Sequence, residues 1–130
     1  MREIKFRAKR IDNEEWVYGV PLYYGDGVFI SNGKLESNNG KDWRIKAIEV
    51  DPQTLGEFTG LPDKQSKGIF EGDIVKFYDN DLKKIRREKV FFEKGEFICF
   101  GCIFGERGLT ETTVIGNIYE DKHLLEVSHA

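Results

Sequence analysis

Long apolar runs are missing from this chain: no stretch approaches the roughly 18 residues of a membrane-spanning helix, so a helical membrane anchor is excluded. The opening residues, "MREIKFRAKR", alternate charge with apolar groups and lack the apolar core of a secretory signal. Cysteine is scarce, with two residues close together, too few for a disulfide scaffold and suited to a reducing cytoplasm. Histidine is as scarce, and both residues lie near the C-terminus, which leaves few partners for a four-ligand zinc site. Neither charge sign dominates: 20 Lys and Arg face 23 Asp and Glu, a formal net charge of −3. That balance excludes both an acidic disordered tail and a basic coat for nucleic acid. A soluble cytoplasmic domain, bound to no membrane, is the expectation.

Aromatic residues, by contrast, are plentiful. Ten Phe, five Tyr and two Trp in 130 residues supply enough bulk for a core without metal or disulfide support. Their setting is period-two alternation, the signature of half-buried strands. In "REIKFRAKR", Ile4, Phe6 and Ala8 fall on one face and Lys5, Arg7 and Lys9 on the other. "WVYGVPLYY", "VFIS" and "WRIKAIEV" continue the pattern, with Pro21 marking an edge or bend. The polar segment 31–42, rich in Gly and Asn, reads as a loop. Residues 1–52 thus form an N-terminal β-meander, and 53–130 a second module around a shared core. In that second module, 53–67 reads as an irregular connection anchored by Leu55, Phe58 and Leu61. In "GIFEGDIVKF" Gly72 permits a tight corner, Asp73 can bond nearby backbone N–H groups, and apolar groups on both faces of the following strand mark it as central. "KVFFEKGEFICF" and "TTVIGNIYE" supply further strands, and "DKHLLEV" one or two helical turns with Asp121 as cap.

Three blocks resemble the YopX family, small proteins found largely in phages and prophages. They are "IKFRA" with "WVYG" soon after; the set Thr54, Gly56, Phe58, Thr59, Gly60, Leu61, Asp63, Lys64 with Ile69, Glu71, Gly72, Asp73, Ile74 and Val75; and "VIGNIYE" followed by Leu124 and Leu125. Pro62 and "QSKG" depart from the family's more Asn/Gly-like segment. The resemblance implies a mostly-β fold with a small SH3-like barrel in the C-terminal half and a phage or prophage origin. It brings no activity and no catalytic residues. Thr59, Gly60, Asp63, Gly72 and Asp73 are expected to form a structural turn motif.

Chemistry must then be sought residue by residue. Cys99 and Cys102 form a C-x-x-C pair, but with only His123 and His129 to complete a metal site, buried inert thiols are the simpler reading. Glu71 and Asp73, two apart, could in principle act as paired carboxylates, yet Gly72 between them makes a corner instead. No phosphate loop, nucleophile elbow or dinucleotide fingerprint occurs. Two segments concentrate positive charge: residues 2–10, with five cations against Glu3, and residues 83–89, with five against Glu88. Lys5, Arg7, Lys9, Lys83, Lys84, Arg86 and Arg87 are therefore the candidate contacts to a phosphate backbone, or else solvated strand faces that guard exposed edges. Trp16, Tyr18, Tyr23, Tyr24 and Trp43 could line a groove or simply pack the core. The expectation is a non-enzymatic accessory protein that works without a cofactor, through protein contacts or self-association, with nucleic-acid binding as the alternative.

Overall fold

The computed structural model describes residues 4–93, 95–99 and 111–125. The chain is mostly β: among the described residues 59% lie in strands and 7% in short helical turns, and the sheets are antiparallel. It divides into two compact units between Glu57 and Phe58.

The first unit is a sheet in the order β4-β3-β2-β1. It runs from β1 (Phe6–Lys9) through the long hairpin β2 (Trp16–Tyr24) and β3 (Gly27–Glu36) to β4 (Arg44–Val50). Alternation decides which side of this sheet is dry. Ala8, Val28, Ile30 and Val50 are buried together, with Phe6, Val17 and Leu55 packed against them. Pro21 lies beyond the end of the β1–β2 ladder, which stops at Phe6 opposite Gly19; there β2 pairs on one side only, the position a residue without an N–H requires. β3 is longer than its apolar pattern suggests. The segment read as loop, 31–42, continues as strand to Glu36, because a register shift between Ser31 and Leu35 lets Leu35 face Ile45. Gly33, at φ +79°, provides the irregular backbone there. Only residues 37–43 form a loop, and it is closed by its own side chains: the Asn39 Oδ1 accepts from the backbone N–H of Lys41 and Asp42. A 3-10 turn (Pro52–Thr54) ends the unit, its Asp51 carboxylate accepting from Gln53 N–H. The amide of Lys9 donates to the Thr54 hydroxyl, tying this turn to β1.

The segment 53–67, expected to be irregular, is largely regular. β5 (Gly56–Pro62) contains the division: Gly56 and Glu57 pair with β1, and the rest pairs with β6 (Gly68–Phe70). Weak alternation hid this strand because Gly56, Gly60 and Pro62 interrupt it. In the second unit, β7 (Asp73–Asp79) stands between β8 (Lys84–Lys89) and β11 (Thr113–Asn117). It is a central strand, as its two apolar faces require. β9 (Phe91–Glu93) and β10 (Glu96–Ile98) form a separate hairpin. Ile69, Val75, Phe77, Val90 and Cys99 make the core of this unit, with Leu61 and Val114 against it. Among the described residues the strands close no barrel, since β8 and β11 remain edges of a three-stranded sheet. A 3-10 turn (Lys122–Leu125) is the short helical element at the C-terminal end. Its Leu124 N–H donates to the backbone carbonyl of Asp121, while the Asp121 carboxylate accepts from Asn117 N–H. Asp121 therefore serves the preceding turn rather than capping the helix by its side chain.

Candidate functional site

The acids and glycines singled out in the sequence make corners. Asp63 is 4% exposed and its carboxylate is saturated: Oδ1 accepts from the N–H groups of Gln65 and Lys67, and Oδ2 accepts from Val114 N–H, 51 residues along the chain. Burial by itself pushes this carboxyl up, but the N–H groups of Val114, Lys67 and Gln65, with the Lys67 charge, outweigh it and hold its pKa below the ordinary 3.8. Asp73 is equally buried, and its Oδ2 accepts from Phe70 N–H at 2.8 Å across the corner. Between β6 and β7, Gly72 takes φ +92°, donating to Val90 O and accepting from Ile118 N–H. Thr59 donates its hydroxyl to Ile69 O and accepts from Leu61 N–H, next to Gly60 at φ +86°. Four residues of the expected turn motif, Thr59, Asp63, Gly72 and Asp73, thus bind backbone, and Gly60 supplies a positive φ. Of the Glu71 and Asp73 pair, Asp73 has one carboxylate oxygen engaged with the chain's own backbone.

Sequence inspection missed Asn117 in this role. Its Oδ1 accepts from Tyr119 and Glu120 N–H, and its amide donates to the Glu120 carboxylate. The signal was present, because asparagine before a turn commonly bonds backbone two or three residues on.

Cys99 corrects a different expectation. It is buried in the core cluster, as an inert thiol would be, but it is disulfide-bonded. The chain's other cysteine, Cys102, and His129 lie outside the described residues. Among the described residues no group of three or more His, Cys, Asp and Glu side chains is placed to hold a metal ion.

The basic clusters fall in different units, and each has its own organisation. On β1, Lys5, Arg7 and Lys9 share the face turned away from Phe6 and Ala8. The register sets Arg7 opposite Tyr18 and Lys9 opposite Trp16. Cation and ring meet: the Arg7 guanidinium lies 4.6 Å and the Lys9 ammonium 5.5 Å from the Trp16 ring centre, and Lys5 lies 5.9 Å from that of Tyr18. Arg7 is buried by this packing, while Tyr18 remains half exposed. Beside them a groove of about 830 Å³ is lined by Trp16, Tyr18, Ser31, Ile45, Lys46 and Ala47. Tyr23, Tyr24 and Trp43 are exposed, and none of them lines this groove.

The second cluster does not act as one patch. Arg86, opposite Phe77 on the core side of β8, is held by the Asp79 carboxylate at 2.9 Å and the Glu88 carboxylate at 2.8 Å. These two acids, Asp79 first, raise its pKa further. The Asp79 carboxyl is held below 3.8 chiefly by Leu82 N–H and then by Arg86. Lys84 shares that face. Arg87, one residue on, points to the opposite side beside Lys76, which the sequence reading overlooked, and Lys83 sits in the β7–β8 turn at φ +53°.

Corner acids bonded to backbone, and sheet faces that carry rings and cations, define a small antiparallel β domain. The chain belongs to the YopX family, whose model, described as YopX protein, matches residues 5–126. It is also similar to a crystal structure of protein EF1440 from Enterococcus faecalis, at a TM-score of 0.65 and 22% identity, over 96% of this chain and 99% of that one. That likeness is one of fold. A search among curated proteins gives no match. No helix among the described residues is long and apolar enough to cross a membrane.

Proposed function

We propose that this chain is a non-enzymatic interaction module that holds a protein partner on the outward face of its first sheet. The carrying observation is the register of β1 against β2, which sets Arg7 and Lys9 opposite Tyr18 and Trp16, with the Lys5 ammonium 5.9 Å from the Tyr18 ring centre. Tyrosine, tryptophan and arginine are the residue types that concentrate binding energy at protein interfaces. Tyr18, Val20 and Ile45 are exposed next to them, and a surface of this kind complements a partner in which carboxylates accompany apolar side chains. The non-enzymatic part of the reading is supported by the corners, where the buried acids spend their oxygens on backbone N–H groups.

A peptide-display selection on the immobilised protein tests this reading. It is expected to enrich sequences that combine Asp or Glu with aromatic or branched apolar residues. The triple variant Tyr18→Ser, Val20→Ser, Ile45→Ser is expected to lose their capture at an unchanged melting temperature. No enrichment, or capture that survives in a folded triple variant, overturns the reading.

A further inference from the structure

We propose that the outer face of the β11-β7-β8 sheet is a site for single-stranded nucleic acid, separate from the protein-binding face proposed for the first unit. Strand parity generates it. Val75 and Phe77 face the core, so Lys76 and Tyr78 face outward. On the neighbouring strand Tyr78 is paired with Ile85 and Lys76 with Arg87, while the next pair sets the fully buried Ile74 opposite the exposed Lys89. Tyr78 is 56% and Ile85 57% exposed, a ring and a branched side chain lying open side by side. Thr113 of β11 stands opposite Lys76 on the other side. A depression of about 500 Å³ on this face is lined by Lys64, Lys76, Tyr78, Ile85, Thr113 and Glu111, among others.

The charge of this face differs from that of the one behind it. Lys64, Lys76, Arg87 and Lys89 accompany Glu111, the one acid among the described residues that line the depression, whereas on the core side Arg86 is already matched by Asp79 and Glu88. An anionic chain is the complement of the outer face, and the open Tyr78 ring decides which kind. Nucleobases stack on exposed rings while cations hold the phosphates, a combination tolerant of sequence. A carboxylate-bearing peptide would answer the cations but leave the ring without a stacking partner. The same parity divides the basic run 83–89: Arg87 and Lys89 belong to the site, and Arg86 does not.

Fluorescence anisotropy of the full chain with labelled oligo-dT and oligo-rU, at 50 to 200 mM salt (on the order of the range over which such contacts weaken), tests the assignment. Binding is expected to weaken with salt, at a logarithmic slope no steeper than about −3 for four phosphate contacts. The two oligonucleotides report whether DNA or RNA is held more tightly, and binding of either in this manner supports the site. Tyr78→Ala is expected to reduce affinity about tenfold and Tyr78→Phe to retain it, as base stacking requires. Arg87→Glu is expected to lose about tenfold or more, while Lys84→Glu, the same charge change on the other face, changes affinity less than about threefold. Each variant is checked by its thermal melt. Binding of neither oligonucleotide at the lowest salt overturns the proposal, as does equal loss in Lys84→Glu and Arg87→Glu or full affinity in a folded Tyr78→Ala. Displacement by polyglutamate as readily as by unlabelled oligonucleotide would assign the face to an acidic protein and overturn it as well.

Discussion

Asp63 carries three backbone N–H groups on two oxygens, and the residues it joins come from both ends of the second unit. Asparagine there would keep the volume but present an amide donor to groups that already donate. Asp63→Asn is therefore expected to lose about 1–3 kcal/mol, the usual range for leaving a buried donor unsatisfied, measured by urea unfolding at neutral pH. The pH dependence has a definite sign. Because the folded carboxyl titrates below its ordinary 3.8, its contribution is complete above that value and is lost as pH falls through the lower, folded one. The stability gap between the native chain and Asp63→Asn is expected to be constant from neutral pH down to about pH 5 and to shrink on further acidification. A gap that widened in acid would contradict the assignment.

Gly72 makes the neighbouring case from backbone geometry. At φ +92° a side chain is strained, and a Cβ would stand 3.0 Å from the Tyr119 ring. Gly72→Ala is expected to cost about 1–2 kcal/mol from the left-handed conformation alone, read as a lower urea midpoint.

Elements were legible where alternation was clean. β1 and the strands of the β2–β3 hairpin follow from apolar residues at every second position, and the central place of β7 from apolar residues on both of its faces. β5 was not legible, because two glycines and a proline break its pattern, and its pairing depends on partners distant in sequence. The outward end of β3 was likewise masked by Asn32, Gly33 and Lys34, polar residues that look like loop when the register shift is unknown. The basic run 83–89 shows the limit for sites. Its charge is visible in one dimension, but only the pairing with β7 shows that Arg86 and Arg87 face opposite ways.

At this scale the ion network offers a test. Arg86 joins Asp79 at the end of β7 to Glu88 on its own strand. Arg86→Met is expected to destabilise the unit, because it leaves two half-buried carboxylates unmatched. Adding Asp79→Asn to that variant is expected to recover part of the loss, the non-additivity expected of groups in one network. A double-mutant cycle by thermal unfolding measures both terms, and strict additivity would contradict the network.

For the whole molecule, the division of labour runs between inside and outside. Thr59, Asp63, Gly72 and Asp73, four of the residues that carry the YopX resemblance, are hydrogen-bonded to backbone, and in each unit rings and cations meet on a sheet face. Family resemblance accordingly made the fold legible and left the surfaces unread. Aromatic and cationic residues were visible as composition, but their juxtaposition in β1–β2 and in β7–β8 arises only from register. The small SH3-like barrel that the resemblance implied is not closed among the described strands, because β8 and β11 remain edges of their sheet.

The central claim is that the corner acids are architecture and the exposed rings are not. Urea midpoints for Asp63→Ala, Asp73→Ala, Tyr18→Ser and Tyr78→Ala, measured side by side at neutral pH, test it most directly. The account predicts a loss of about 1–3 kcal/mol or more in each aspartate variant and changes within about 0.5 kcal/mol in the two tyrosine variants. Aspartate variants as stable as the native chain would contradict it.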